Sequence, residues 1–370
     1  MTAHSSRHKQ GVASDQCRSD RFATLPLCHA VTILLMTAVG CWQVGASSHS
    51  AAPVTYSVSA GCTYDDNVFH YSPQDIDTFI HNYEGHRGKF ASVRSLDDAV
   101  VNVSGRLLWR PKVIRRHTTQ LGLAVSAHQY VSNPVKSHLS AALRFRQYLS
   151  KALHAEGSYL VVPRYLIRNY PVPGQGTDYE PCTFAEHLLG IEVGCRMWEL
   201  APIGQAATVT PFLRYETDNY QPSFAVYDTR AWRTGAGAEV TLTRWLDAEG
   251  SYEFKAAAAR GPNPDISYGQ HDIAVGLKPS LGKLSLDLGY DYGRRVFTAQ
   301  PEADSTHAGR IDVTTTIRGH ATLSLSPRLT LVLEYDREAR NSSSPYRADI
   351  DEVKNYTENR IGLGVRLGEG

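Results

Sequence analysis

Leu284-Ser285-Leu286-Asp287-Leu288-Gly289-Tyr290-Asp291-Tyr292 is the stretch on which the fold turns. Every second residue is apolar or aromatic, and each residue between is small, polar or acidic. Side chains of an extended chain point alternately to opposite faces, so this is a strand with one oily and one watery side. Working outward, the same split recurs. Tyr56, Val58, Ala60, Cys62 and Tyr64 stand against Ser57, Ser59, Gly61 and Thr63; Val101, Val103, Leu107 and Trp109 against Asn102, Ser104, Arg106 and Arg110. Leu139, Ala141, Leu143 and Phe145 oppose Ser140, Arg144 and Arg146, and Ala236, Ala238, Val240 and Leu242 oppose Gly235, Gly237, Glu239 and Thr241. Soluble sandwiches alternate too, but with strands nearer five or six residues; segments of about ten cross a bilayer when tilted.

The count is 14 predicted strands: 55–64, 99–109, 118–129, 138–148, 152–162, 184–197, 207–216, 230–243, 246–258, 271–278, 283–292, 312–325, 329–336 and 356–367. A different reading of one loop gives 12 or 16, and bacterial barrels require an even number. Connections alternate in length. Short turns fall at 110–117, 149–152, 201–205, 244–246, 278–282 and 326–328. Long polar stretches fall between them at 65–98, 130–137, 163–183, 217–229, 260–270, 294–310 and 337–355. Short periplasmic turns with long external loops are the habit of an outer-membrane barrel.

Aromatic placement agrees. Tyr64, Tyr130, Tyr159, Tyr215, Tyr252, Tyr290, Tyr292 and Tyr335 lie toward the long loops, all but Tyr130 on the apolar face. Trp109, Trp198 and Trp245 lie near the short turns, Trp198 with inward parity. Amphipathic rings at two levels match the two membrane interfaces. The expected fold is therefore an all-β, transmembrane, antiparallel up-and-down β-barrel over 55–367, with both termini periplasmic.

Residues 1–46 read as a signal peptide: Arg7, Lys9, Arg18 and Arg21 precede an apolar core from Ala30 to Val39, with cleavage after Val44-Gly45-Ala46. A competing reading makes Cys41 a lipidated residue. Residues 47–54 are then a short periplasmic segment. The 370-residue chain is 42% apolar and 20% charged, with no apolar run long enough for a membrane helix. Of 38 basic and 37 acidic residues the leader holds four and two, leaving 34 against 35; a nucleic-acid binder needs a basic surplus. Cys62, Cys182 and Cys195 remain beyond the leader, with no CxxC spacing for zinc. Cys182 and Cys195 fall on one predicted strand, too far apart to pair. No metal or cofactor is expected.

Gly61-Cys62-Thr63-Tyr64-Asp65-Asp66-Asn67-Val68-Phe69 resembles the opening signature of the outer-membrane β-barrel porin families of Gram-negative bacteria, including those found in exopolysaccharide loci. The last strand, Arg360-Ile361-Gly362-Leu363-Gly364-Val365-Arg366-Leu367, resembles the signal read by the barrel assembly machinery. Such barrels usually close on a terminal aromatic, whereas Gly368, Glu369 and Gly370 follow Leu367 here. The resemblance implies an outer-membrane location, contact with outer-membrane lipid and lipopolysaccharide, assembly by that machinery, and small polar solutes or exopolysaccharide as cargo. Asp65-Asp66-Asn67 also has a local explanation, because Asp and Asn side chains bond their own backbone where a strand bends into a loop. Calcium binding or acid/base work by this cluster is the sharper, less favoured reading.

Soluble-enzyme motifs are absent: no GxSxG, HExxH or P-loop, and Gly235 and Gly237 lack the third glycine of GxGxxG. Residues that an outer-membrane hydrolase would want are Asp65, Asp66 and His70 at the outer mouth, or His187 on the lipid face. The inward face is more informative. Arg106, Arg110, Arg144 and Arg146 are expected to make a basic wall, and Glu249, Glu253, Asp272, Asp287, Asp291, Glu334 and Asp336 an acidic one, softened by Lys255, Lys278 and Arg318. Opposed walls would put a transverse field across a water-filled lumen. The plainer reading is that lumen charges pair to fill a narrow barrel. The loop at 65–98 is long enough either to fold inward or to stand outside. The leading functional expectation is a porin-like channel. A non-conducting surface barrel for adhesion or envelope assembly comes second and a hydrolase third.

Overall fold

The computed structural model describes residues 54–81, 88–111, 113, 117–175, 178–197, 207–261, 265–302 and 304–368. The expected signal peptide, its cleavage site, Cys41 and Trp198 lie outside the described residues. Fourteen antiparallel strands follow one another around a closed barrel, and the first pairs with the last. They are β1 (Val54–Asp65), β2 (Asp98–Trp109), β3 (Thr119–Tyr130), β4 (His138–Tyr148), β5 (Leu153–Pro171), β6 (Tyr179–Met197) and β7 (Ala207–Tyr220). The circuit continues through β8 (Thr229–Thr243), β9 (Leu246–Ala259), β10 (Tyr268–Leu281), β11 (Leu284–Phe297), β12 (Ile311–Ser326), β13 (Leu329–Ser343) and β14 (Tyr356–Gly368). Two short helices, α1 (Pro73–His81) and α2 (Ile350–Lys354), sit in long loops. Among the described residues no helix is long and apolar enough to cross a membrane.

Pairing register puts the alternating sets where the sequence places them. Tyr56, Val58, Ala60, Cys62 and Tyr64 oppose Leu107, Gly105, Val103, Val101 and Ala99, while Ser57 opposes Arg106 and Ser59 opposes Ser104. Leu143, Ile191, Leu213, Val275, Leu288, Ile317, Leu333 and Leu363 are all exposed around the outside. An apolar face turned outward on a closed sheet, which has no free edge strand, is the arrangement that a bilayer permits. The compact apolar cores lie instead beyond the barrel wall, under the loops: Val68, Phe69, Tyr71, Val93 and Leu166 in one, Val172, Cys182 and Phe224 in another.

Turn chemistry follows the usual rules. Gly282, at φ 64, takes the left-handed conformation that the two-residue link from β10 to β11 requires. All 14 expected strands are present, but several run further. β5 and β6 reach Pro171 and back from Tyr179, where the sequence was expected to form a loop from 163 to 183. Pro163 lacks a donor and looks like a break; it is accommodated where the register slips between Val162 and Tyr165. β11 and β13 likewise pass their expected ends to Phe297 and Ser343. These extensions lack the two-residue apolar alternation that lipid on one side and water on the other impose. Cys182 and Cys195 share β6 and are free thiols, as is Cys62.

Candidate functional site

Both expected walls face inward, on roughly opposite arcs of the circuit, but neither is a bare sheet of one charge. On the basic side Arg144 and Arg146 converge on Glu156 of β5, with Nε to carboxylate distances of 2.8 and 2.5 Å. Glu156 is only 3% exposed and its role was not foreseen from the sequence, because one acidic residue among neutral ones carries no pattern. Arg110 reaches Thr55 Oγ1 at 3.5 Å, and Arg106 lies in register between Ser57 and Ala124. On the acidic side Glu253 meets Arg214 and Arg233, each at 3.4 Å; Glu249 meets Lys278 at 2.5 Å; Asp291 meets Arg318 at 2.8 Å. Asp336 takes His320 at 3.2 Å and Arg360 at 3.6 Å, while Asp272 accepts from the Gln270 amide at 2.8 Å. Asp287 and Glu334 flank His320 in register. Lys255, read as a softening charge, pairs with Glu216 at 2.7 Å. Pairing is thus the rule inside this barrel, mostly across adjacent strands and, for Lys255–Glu216 and Arg214–Glu253, across β8 between β7 and β9.

The described parts of the loop after β1, 66–81 and 88–97, pack against β5 and α2 over the mouth. Its first turn is built by the motif at the end of β1. Asp65 accepts the Asn67 backbone N–H at 2.9 Å; Asn67 exchanges hydrogen bonds with Tyr71 and donates to Thr357 O at 3.0 Å. Asp66 accepts both the N–H and the side-chain amide of Asn359 at 2.7 Å, tying the loop across the seam where β1 meets β14. His70, held at φ 53, stacks on Tyr356 at 4.6 Å and lies 3.3 Å from Glu358. Val68 and Phe69 bury themselves against Leu166 of β5, with Tyr130 and Val135 packed alongside, and α1 packs on α2. The structure therefore engages Asp65, Asp66, Asn67 and His70 in shaping this loop. Among the described residues no cluster of metal-ligating side chains is found. His187, on the outer face, accepts or donates at 2.7 Å with the Tyr159 hydroxyl.

The rim matches a membrane interface. Tyr64 points outward at the long-loop end of β1, whereas Tyr159, Tyr252, Tyr290 and Tyr335 point outward nearer the middle of β5, β9, β11 and β13, because β5, β11 and β13 run well beyond their expected ends; Tyr130 turns inward to the loop core. Their hydroxyls find polar partners: Tyr64 donates to Asp97, Tyr252 bonds His271 and Tyr335 donates to Asn359. Trp109 and Trp245 are exposed at the opposite rim. At the chain's end, Val365 and Leu367 face outward, while Arg360 and Gly362 face the lumen, Gly362 against Thr63 Oγ1.

The described parts of the loop pack on β5, on β6 and on α2. Three cavities adjoin one another beside it, the outermost walled in part by Arg168 and Cys182 of β5 and β6 and the others by β7 to β14. An outer vestibule of about 540 Å³ shares Arg295 and Arg340 with a cavity of about 460 Å³ below it. That cavity in turn shares Ser251 and Ala274 with a third, of about 300 Å³, bounded by Thr208, Glu239 and Arg318 near the short turns. Arg295, Arg340 and Lys354 fell in stretches expected to be loops, so the sequence offered no parity by which to aim them inward.

An apolar outer belt, aromatic rims, a charged interior and a closed circuit of 14 strands define an outer-membrane β-barrel. No protein-family model matches the sequence, and no curated protein does. Solved structures of similar shape include the outer membrane channel DcaP of Acinetobacter baumannii, at 10% identity and TM-score 0.47 over 88% of this chain and 100% of that one. OmpT, an outer membrane protein of Vibrio cholerae, is similar at 10% identity and TM-score 0.42, over 87% of this chain and 100% of that one. Its loop L8 deletion mutant is similar at 8% and 0.44, over 85% and 98%. Likeness this loose decides nothing about cargo, which rests on the barrel's own residues.

Proposed function

We propose that this protein is a porin-like channel that lets small polar solutes diffuse across the outer membrane, selected by width at the folded loop and by the charges below it. The observation that carries this reading is the chain of adjoining cavities, from the outer vestibule past Arg295 and Arg340 to the third cavity, bounded by Thr208 and Glu239 toward the short turns. A barrel of about 14 strands lies between the packed eight-strand size and the open 16-strand porins, which suits a modest pore. Ion-paired walls narrow the path without closing it, and leave fixed dipoles for hydrated solutes. The outer belt takes outer-membrane lipid, the rim tyrosines sit at the lipopolysaccharide headgroups, and β14 presents Val365 and Leu367 to the assembly machinery.

Planar-bilayer recording tests the channel. Correctly folded protein should give discrete conductance steps; folded protein that gives none would leave a surface barrel for adhesion or envelope assembly. The resemblance of Gly61 to Phe69 to barrels of exopolysaccharide loci supports a second reading, that the channel serves polysaccharide export. Loss of surface polysaccharide on deleting the gene, restored by the intact chain, is its expected sign.

A further inference from the structure

We propose that the outer vestibule is a binding site for a short saccharide bearing carboxylates, a uronate oligosaccharide in chemical class, held by arginine edges and tyrosine faces. This rests on the channel reading in treating the ligand as cargo, and the test below separates the two.

The cavity of about 540 Å³ falls within the size range of ligand pockets. Six cationic side chains line it, Arg168, Lys255, Arg295, Arg310, Arg340 and Lys354, against two carboxylates, Asp218 and Asp304. Lys255 is matched by Glu216, and Asp304 is taken by His307 at 2.6 Å, so the surplus is real at the cavity wall. Arg310 is the strongest pointer. It is only 5% exposed, its Nη2 donates to Asp312 at 3.0 Å, and its Nε and Nη1 have no partner. A buried guanidinium with two unmet donors costs free energy unless acceptors meet them, and because Nε and Nη1 lie on opposite sides of the guanidinium, a ligand bearing several oxygens, carboxylate and hydroxyl, suits them better than one isolated carboxylate.

Arginine placement supports the same ligand. Arg310 lies 4.0 Å over the Phe297 ring, Arg295 4.2 Å over Tyr268 and Arg340 4.5 Å over Tyr356. Stacking fixes each guanidinium plane and leaves an edge for an incoming anion. Tyr170, Tyr220, Tyr227 and Tyr268 also line the space. A phenol offers an apolar face with a polar tip, which complements a sugar ring with its C–H face and hydroxyl rim. An inorganic anion would use the arginines and leave the tyrosines idle.

Isothermal titration of the folded, detergent-solubilised protein with tri-galacturonate, maltotriose and inorganic phosphate tests this without any need for conductance. Tri-galacturonate should bind about tenfold or more tighter than maltotriose, and tightness should fall with added salt. Arg310→Gln should weaken it about tenfold, and Arg295→Gln, which leaves the buried Arg310–Asp312 pair intact, several-fold. Equal binding of maltotriose, equal competition by phosphate, or unchanged affinity in folded Arg310→Gln and Arg295→Gln proteins overturns the proposal. Absence of tri-galacturonate binding in a protein that conducts normally overturns it and leaves the channel standing. Selective binding in a protein that does not conduct supports the site and removes the channel.

Discussion

The Lys136 ammonium donates to the Val68 carbonyl at 2.7 Å, and with Asn133, which accepts from the Arg94 N–H at 2.9 Å and donates to Ser95 O at 3.1 Å, it fastens the loop after β1 to the loop between β3 and β4. Lys136 is 3% exposed and lies 5.1 Å from the Phe69 ring centre and 5.2 Å from that of Tyr165. The width of the mouth therefore depends on a residue that touches no part of the open path.

Lys136→Met keeps the length of the side chain and removes the donor. Leaving the Val68 carbonyl without its partner should weaken loop docking by about 1–3 kcal/mol. Single-channel conductance should rise and trypsin should cut sooner at Lys89 and Arg94, with the barrel still migrating as a folded, heat-modifiable band. Unchanged conductance and unchanged cleavage would show that its apolar core and the Asn133 bonds hold the loop without Lys136.

Docking should also depend on pH. Burial holds the Lys136 ammonium down at about 8, with Asp65 and Glu358 opposing that shift and Arg168 adding to it. A lysine released to water titrates near about 10.4. Between these values the released loop binds a proton that the docked loop does not, so docking strengthens as pH rises from about 8 toward 10. Below pH 8 both states carry the lysine's charge and its contribution is flat. Above about 10 the sign reverses, because burial raises the Tyr71 phenol and the released loop ionises first. Conductance should fall from pH 8 to 10 in the native protein and stay level in Lys136→Met; a native trace parallel to the variant's would contradict this.

Glu156 decides how much positive field the basic wall projects. Replacing it with Gln leaves Arg144 and Arg146 without their carboxylate, and anion preference should rise by about twofold. Reversal potentials in a salt gradient read this directly. If the potential does not move, the path does not sense that wall.

At the closing seam the backbones of β1 and β14 come close. A Cβ at Gly61 would meet Leu363 O at 3.0 Å, and one at Gly364 would meet Ala60 O at 3.0 Å. Gly364→Leu should force the strands apart and cost about 1–3 kcal/mol, seen as loss of the heat-modifiable folded form. Gly157→Ala, where a Cβ has open space, should fold normally. A folded Gly364→Leu barrel of native thermal stability would show that the seam yields.

Strand existence, face parity and the outer belt were legible because lipid on one side and water on the other impose a two-residue period on every crossing segment. Leu284 to Tyr292 shows this in nine residues, and Arg144, Arg146, Glu253 and Asp291 inherit their inward aim from it. The ion pairs were not legible, since which carboxylate meets which cation depends on register between strands distant in sequence, as with Glu216 and Lys255.

What the sequence by itself determined is the barrel: its strand count, its polarity and the side of the wall on which each crossing residue lies. Tertiary structure alone decided that the described parts of the loop after β1 pack on β5 and α2 and that Arg295, Arg310, Arg340 and Lys354 gather in one vestibule. Those four lie beyond the segments on which lipid on one side and water on the other impose a two-residue period, so no parity aims them. The packing of Phe69 on Leu166 seats the loop, while the extension of β11 and β13 and the bond from Arg340 Nε to Lys354 O at 3.1 Å bring the vestibule residues together.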